Sequence, residues 1–222
     1  SDTFKLKQKS TIYYHTFIEL FTIDPIKVQR VFQQGLSLQK KCQTPSSIVP
    51  HSTYSVSNLL FDKIKQHNSG EMVCLHNQET TTEDTLFLHG SGALYNQLKV
   101  FGELNVSGLS ALRTVLPKMP QASTLLVHNT YTSQSDVQWA EAQHENLFWC
   151  TCPKANLYIE GRLPNYENFK GVIPKIFRGE IVIKDLALGF NNNKNILFQR
   201  LNCLLPAGSV TVINGYNSSG KT

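Results

Sequence analysis

The 222 residues suffice for one medium domain, or for one domain and part of another. Hydrophobic residues make up 41% of the chain, and the longest apolar runs, 123–127 and 181–183, fall far short of the roughly 20 residues that span a bilayer, so no membrane insertion is expected. The net charge of +5 comes from 21 basic and 16 acidic residues scattered without interleaved aromatics, which argues against a nucleic-acid partner. Residues 1–10 lack a secretory h-region and an initiator Met, so the start reads as an interior point of a longer chain. The five cysteines are odd in number, and Cys150-Thr151-Cys152 is not a C-x-x-C pair. They read as buried, reduced thiols of a cytoplasmic protein.

In chain order, a strand is expected near 12–19 and a helix over 25–40. Next come a strand over 47–51 and a helix over 56–66. A strand over 72–76 leads into a long polar-to-helical region ending near residue 100. A strand over 124–128 precedes a helix over 136–142, and a strand over 147–152 ends in Pro153-Lys154-Ala155-Asn156. Three of these strands end in a histidine: His51, His76 and His128. Alternating strands and helices predict βα units and a parallel sheet. About five units precede Lys170, too few to close an eight-stranded barrel, so the sheet is open or the sequence is a fragment.

In His76-Asn77-Gln78-Glu79 a strand-end imidazole could bind a divalent metal, which lowers the pKa of a bound water. A carboxylate three residues on could then shuttle protons. The spacing alone reads equally well as a partly buried histidine beside a solvated glutamate. His128 alone reads as a satisfied core histidine as readily as a second imidazole at the same rim, and His51 is a third strand-end histidine. Three imidazoles in one strand-end context favour a shared site.

The segments Pro50-His51-Ser52-Thr53-Tyr54-Ser55, Leu75 to Glu79, Leu126-Val127-His128-Asn129 and Cys152 to Ile159 resemble the amidohydrolase superfamily, in its cytosine deaminase, chlorohydrolase and aminofutalosine deaminase branch. The resemblance covers about residues 1–168 and implies strands three to seven of a (β/α)8 barrel. It implies that His76 is a metal ligand and that Glu79 is the proton-shuttling carboxylate. His128 would polarise the attacking hydroxide or the substrate. His51, Tyr54 and Asn156 would line the pocket of a small-molecule ring substrate. The implied cofactor is Zn2+ or Fe2+, and the implied reaction is hydrolysis at a C–N or C–Cl bond. The family's strand-one H-x-H pair and strand-eight aspartate have no counterpart here. With one matched ligand, the chain is expected to hold no metal stably and to be inactive alone.

Beyond a boundary near 170–178 the style changes to hairpin-like strands over 180–190, 196–205 and 209–213, with turns at 191–195 and 206–208. Gly215-Tyr216-Asn217-Ser218-Ser219-Gly220-Lys221-Thr222 fits G-x-x-x-x-G-K-[ST] after a predicted strand. Residues 178–222 resemble the start of an ABC-type ATPase domain. That resemblance implies ATP on Gly215, Asn217, Gly220 and Lys221, Mg2+ on Thr222, and adenine stacked on Phe190. Tyr216 and Ser218 depart from the usual loop, and the expected stub binds nucleotide weakly.

The leading expectation is therefore an α/β chain. Residues 1–170 form a partial (β/α)8 barrel of a deaminase-type hydrolase, and 178–222 a short β-rich segment ending in a phosphate loop. The alternatives are an ATP-binding segment of a transport ATPase and a non-catalytic interaction protein.

Overall fold

A computed structural model describes residues 3–169, 181–190 and 195–205. The chain falls into two compact units, 1–170 and 171–222.

The first unit runs α1 (Phe4–Lys9), β1 (Thr16–Leu20), a 3-10 turn (Pro25–Lys27), α2 (Val28–Lys41), β2 (Ser46–Pro50), α3 (Asn58–His67), β3 (Val73–Asn77), α4 (Thr81–His89), α5 (Gly92–Leu98), α6 (Ala111–Val115), β4 (Thr124–His128), α7 (Gln134–Gln143), β5 (Leu147–Cys150) and α8 (Pro153–Glu160). β1 pairs parallel with β2, and β3, β4 and β5 form a parallel sheet in that order. Just beyond β2, Ser52 bridges in parallel to His76, and the His76 amide donates to the His51 carbonyl at 3.0 Å. The five strands thus stand in chain order, each paired with its neighbour in the sequence. This is a mixed α/β architecture with parallel strands, matching part of a (β/α)8 fold; the described strands do not close into a barrel.

Local chemistry sets the helix starts. Asp24 accepts from the Ile26 amide at 3.0 Å, with Pro25 at the first helical position. Ser57 caps α3 and Ser133 caps α7 in the same way. α2 buries Val28, Phe32 and Gly35, one stripe at helical spacing. β2 and β3 are buried almost throughout, as parallel strands covered on both faces must be. Ile48, Val49, Val73, Leu75 and Leu126 pack with Leu60, Phe61, Ile64, Leu86, Leu112 and Met119 into one core. This leaves the C-terminal strand ends as the rigid rim on which polar groups gather.

The helices of the first unit overlap the expected ones, with α3 starting two residues later than expected. The polar region after β3 holds two helices, α4 and α5, and the Pro153–Asn156 segment opens α8 instead of ending a strand. Only Cys74 of the five thiols is buried; Cys42, Cys150, Cys152 and Cys203 are half-buried, and none is paired. Among the described residues no helix is long and apolar enough to cross a membrane.

In the second unit β6 (Ile181–Phe190) and β7 (Asn195–Leu205) pair antiparallel with register shifts after Ile183, Leu186 and Leu188. The expected strand over 209–213 and the Gly215–Thr222 loop lie outside the described residues.

Candidate active site

Adjacent strands deliver a row of titratable side chains to one rim. Glu19 lies near the end of β1, and its Oε1 is 3.2 Å from His76 Nε2 on β3. His76 Nδ1 is 3.0 Å from His128 Nε2 at the end of β4. His128 Nδ1 faces Asn156 Oδ1 at 3.2 Å and Glu79 Oε1 at 3.3 Å. The His51 ring lies beside His76, with centroids 5.1 Å apart, and the His76 and His128 centroids are 5.0 Å apart. A cleft of about 550 Å³ adjoins Glu19 and is lined by Phe21, Arg30, Gln34, Ser55, Leu98 and Phe101 among others.

The His76–His128 contact depends on a local distortion. The β3–β4 register pairs His76 with Val127 and Asn77 with His128. Regular pleating would send the His128 side chain to the face opposite His76. His128 instead has φ 78° and Asn129 φ 55°, so the strand ends in left-handed backbone. Non-glycine residues reach that region at a cost of about 1–3 kcal/mol, and Asn129 is among the residues that tolerate it best. Asn129 meets this cost through its surroundings: its amide donates to the Asn77 carbonyl at 3.0 Å, and its Nδ2 donates to the carbonyls of Leu126 and Cys150 at 2.8 and 2.9 Å.

The Glu79 loop is built on a buried acid. Glu83 accepts from the amides of Gln78, Glu79 and Thr80 at 3.0, 2.7 and 3.3 Å and from the Thr53 hydroxyl at 2.6 Å. Burial pushes its pKa up to about 7 against those four donors. Gln78, at φ 44°, accepts from the Thr132 hydroxyl at 2.8 Å.

The charges along the row are mutually tuned. Glu19 is held below the usual carboxylate range, first by its hydrogen bond to His76. His76 is raised, first by the same bond and against the penalty of burial. His51 is lowered, first by burial and then by its neighbour His76.

Five of the residues singled out in the sequence thus converge: His51, His76, Glu79, His128 and Asn156. Tyr54 packs partly against the core, and its pKa is raised, first by burial and then by Glu83, while a side-chain hydrogen bond to Ser52 works the other way. Gly215, Asn217, Gly220, Lys221 and Thr222 lie outside the described residues, and Phe190 is described only as the backbone end of β6. Sequence reasoning missed Glu19. Its signal was there: an acid inside the apolar run Phe17-Ile18-Glu19-Leu20-Phe21.

Glu19, His51 and His76 each offer one ligand atom, all within 4.8 Å of one another. Two imidazoles and a carboxylate form a donor set suited to Zn2+ or Fe2+. Besides His76, expected as the single ligand, Glu19 and His51 are thus groups that could hold a cation.

No family profile and no curated protein matches the sequence. The fold does match solved structures. Aminofutalosine deaminase from Helicobacter pylori superposes with a TM-score of 0.64 at 19% identity, over 75% of this chain and 44% of that one. Its complex with methylthio-coformycin gives 0.63 at 19%, over 75% and 43%. A triazine hydrolase variant gives 0.55 at 12%, over 75% and 37%. These neighbours are amidohydrolase-superfamily proteins. At such identities the likeness establishes the fold, and the chain spans less than half the length of each of these three structures.

Proposed function

We propose that residues 1–170 carry part of the active site of a metal-dependent, deaminase-type hydrolase that cleaves a C–N bond on a ring substrate. The observation that carries this reading is the convergence of His76, His128 and Glu79 at one rim of a parallel sheet, with His128 bridging the other two. His76 would hold the Zn2+ or Fe2+, which when bound supplies Lewis acidity. Glu79 would carry a proton between the attacking water and the leaving amine. His128, tethered by Asn156, orients the water or the substrate. His51 and Tyr54 belong to the pocket side. The fold neighbours support the reading: one is an aminofutalosine deaminase solved with methylthio-coformycin, and another is a triazine hydrolase.

The test is ammonia release from aminated purine and pyrimidine rings by the complete natural protein carrying these residues. Glu79→Gln is expected to lower kcat by at least about a hundredfold with the metal retained. Activity untouched by Glu79→Gln would sink the assignment.

A second reading concerns the tail alone. The Gly215–Thr222 motif favours ATP and Mg2+ binding, with Phe190 against the base. Calorimetric ATP titration of the chain against Lys221→Ala tests it, and equal affinities would dismiss it.

A further inference from the structure

We infer that Glu19, His51 and His76 form a cation site of their own, with Zn2+ as its best-suited occupant. The site shares His76 with the proposed catalytic set but stands without any hydrolytic activity.

The argument begins with the ring nitrogens. His51 Nδ1 is 3.0 Å from Ser55 Oγ, which also accepts from Ser52 Oγ at 2.7 Å. His76 Nδ1 faces His128 Nε2, and His128 Nδ1 faces the acceptors Asn156 Oδ1 and Glu79 Oε1. One tautomer set satisfies the contacts at all three Nδ1 atoms and between His76 and His128: all three rings carry their proton on Nδ1. His128 Nδ1–H then donates to an acceptor oxygen, His76 Nδ1–H donates to His128 Nε2, and His51 Nδ1–H donates to Ser55. Lone pairs remain at Nε2 of His51 and His76. Metal-binding histidines are held in just this way, with the second nitrogen donating to an outer acceptor.

That arrangement leaves a conflict which a cation removes. The His76 Nε2 lone pair would point at the Glu19 carboxylate 3.2 Å away, acceptor against acceptor. Either a proton or a metal ion must lie between them. His51 adds a third donor within 4.8 Å, which a lone proton cannot use and a tetrahedral metal can. Three protein ligands with a fourth position open is the ligand count of catalytic zinc sites. The ligands also stand on rigid backbone, since the His51 amide donates to the Leu20 carbonyl and the His76 amide to the His51 carbonyl, both at 3.0 Å.

The test uses the metal-stripped 222-residue chain. Zn2+ is titrated by calorimetry, and Co2+ by visible absorption. Saturation at a single ion per chain, with tetrahedral cobalt bands, is expected. Glu19→Gln and His51→Gln should each weaken binding about tenfold or more, while the exposed His67→Gln and His89→Gln leave it unchanged. Nitrogen-15 histidine spectra of the unaltered chain give a readout that needs no variant: Zn2+ should shift Nε2 of His51 and His76. Affinity unchanged in Glu19→Gln and His51→Gln, shifts confined to other histidines, or a thiolate-to-cobalt charge-transfer band would each overturn the site. Metal binding without ammonia release would leave this site standing and remove only the hydrolase reading.

Discussion

His128 and Asn156 hold each other twice: Asn156 Oδ1 lies 3.2 Å from His128 Nδ1, and Asn156 Nδ2 donates to the His128 carbonyl at 3.3 Å. Asn156 is fully buried, and its helix α8 follows β5 directly. One amide therefore fixes both the ring and the left-handed backbone of the same residue. Asn156→Ala removes a donor and an acceptor from a buried pair. It should cost about 1–3 kcal/mol, the usual penalty for stranding buried polar groups. Urea unfolding measures it, and a loss below about 0.5 kcal/mol would show that His128 keeps its pose without Asn156.

That pair also marks the limit of what the sequence could say. The strand–helix alternation is written in local patterns, and Thr124–His128 is a strand in both readings. Strand-end histidines were visible for the same reason. The side to which His128 turns was not visible, because it depends on Asn129 contacts to Cys150, 21 residues away. Pro153 read as the end of a strand, although proline is equally at home in the first turn of a helix. Glu19 lies inside the strand expected near 12–19, but its partner His76 is 57 residues downstream, beyond the reach of any local pattern.

Glu83 gives the fold a pH dependence with a definite sign. Burial lifts its pKa from 4.5 to about 7. Between those values the folded chain keeps a proton that the unfolded chain has released. The contribution of Glu83 to stability is therefore greatest below about pH 4.5 and falls as pH rises through about 7, by on the order of 3 kcal/mol in all. Glu83→Gln cannot titrate. The stability gap between the unaltered chain and Glu83→Gln should then narrow from pH 5 to pH 8. A gap that stays constant or widens in denaturant titrations would mean that the four donors outweigh burial and keep Glu83 ionised.

Arg113 supplies the charge that Asp136 lacks elsewhere. Its Nε is 2.6 Å from Asp136 Oδ1, and the Asp136 side chain is only 8% exposed. Ser110 and Gln78 also donate to that carboxylate, at 3.1 and 3.4 Å. Asp84 sits nearby, its own pKa raised by burial and then by Asp136. Arg113→Leu leaves the buried Asp136, with the half-buried Asp84 near it, without that cation. A loss of about 1–3 kcal/mol is expected, below the full buried-pair penalty because Arg113 is partly in water. Asp136→Asn in the Arg113→Leu background should recover part of it. No recovery would point to lost packing over Trp139, where the guanidinium lies 5.5 Å from the ring centroid.

Ser55 separates a built metal site from a chance meeting of donors. Its Oγ touches the His51 ring but offers nothing to a cation at Nε2 on the far side. Ser55→Ala therefore leaves all three proposed ligands in place and frees only the orientation and tautomer of His51. If Nε2 is a ligand because Nδ1–H is held by Ser55, loss of that acceptor should weaken Zn2+ about tenfold, the lower end of the usual effect of such outer partners. Ser52, which donates to Ser55 at 2.7 Å, would lose its partner as well, so thermal unfolding must accompany the titration. Weaker Zn2+ binding with an unchanged melting temperature is the expected result. Unchanged affinity would show that His51 is free to turn or takes no part in binding, and would reduce the site to Glu19 and His76.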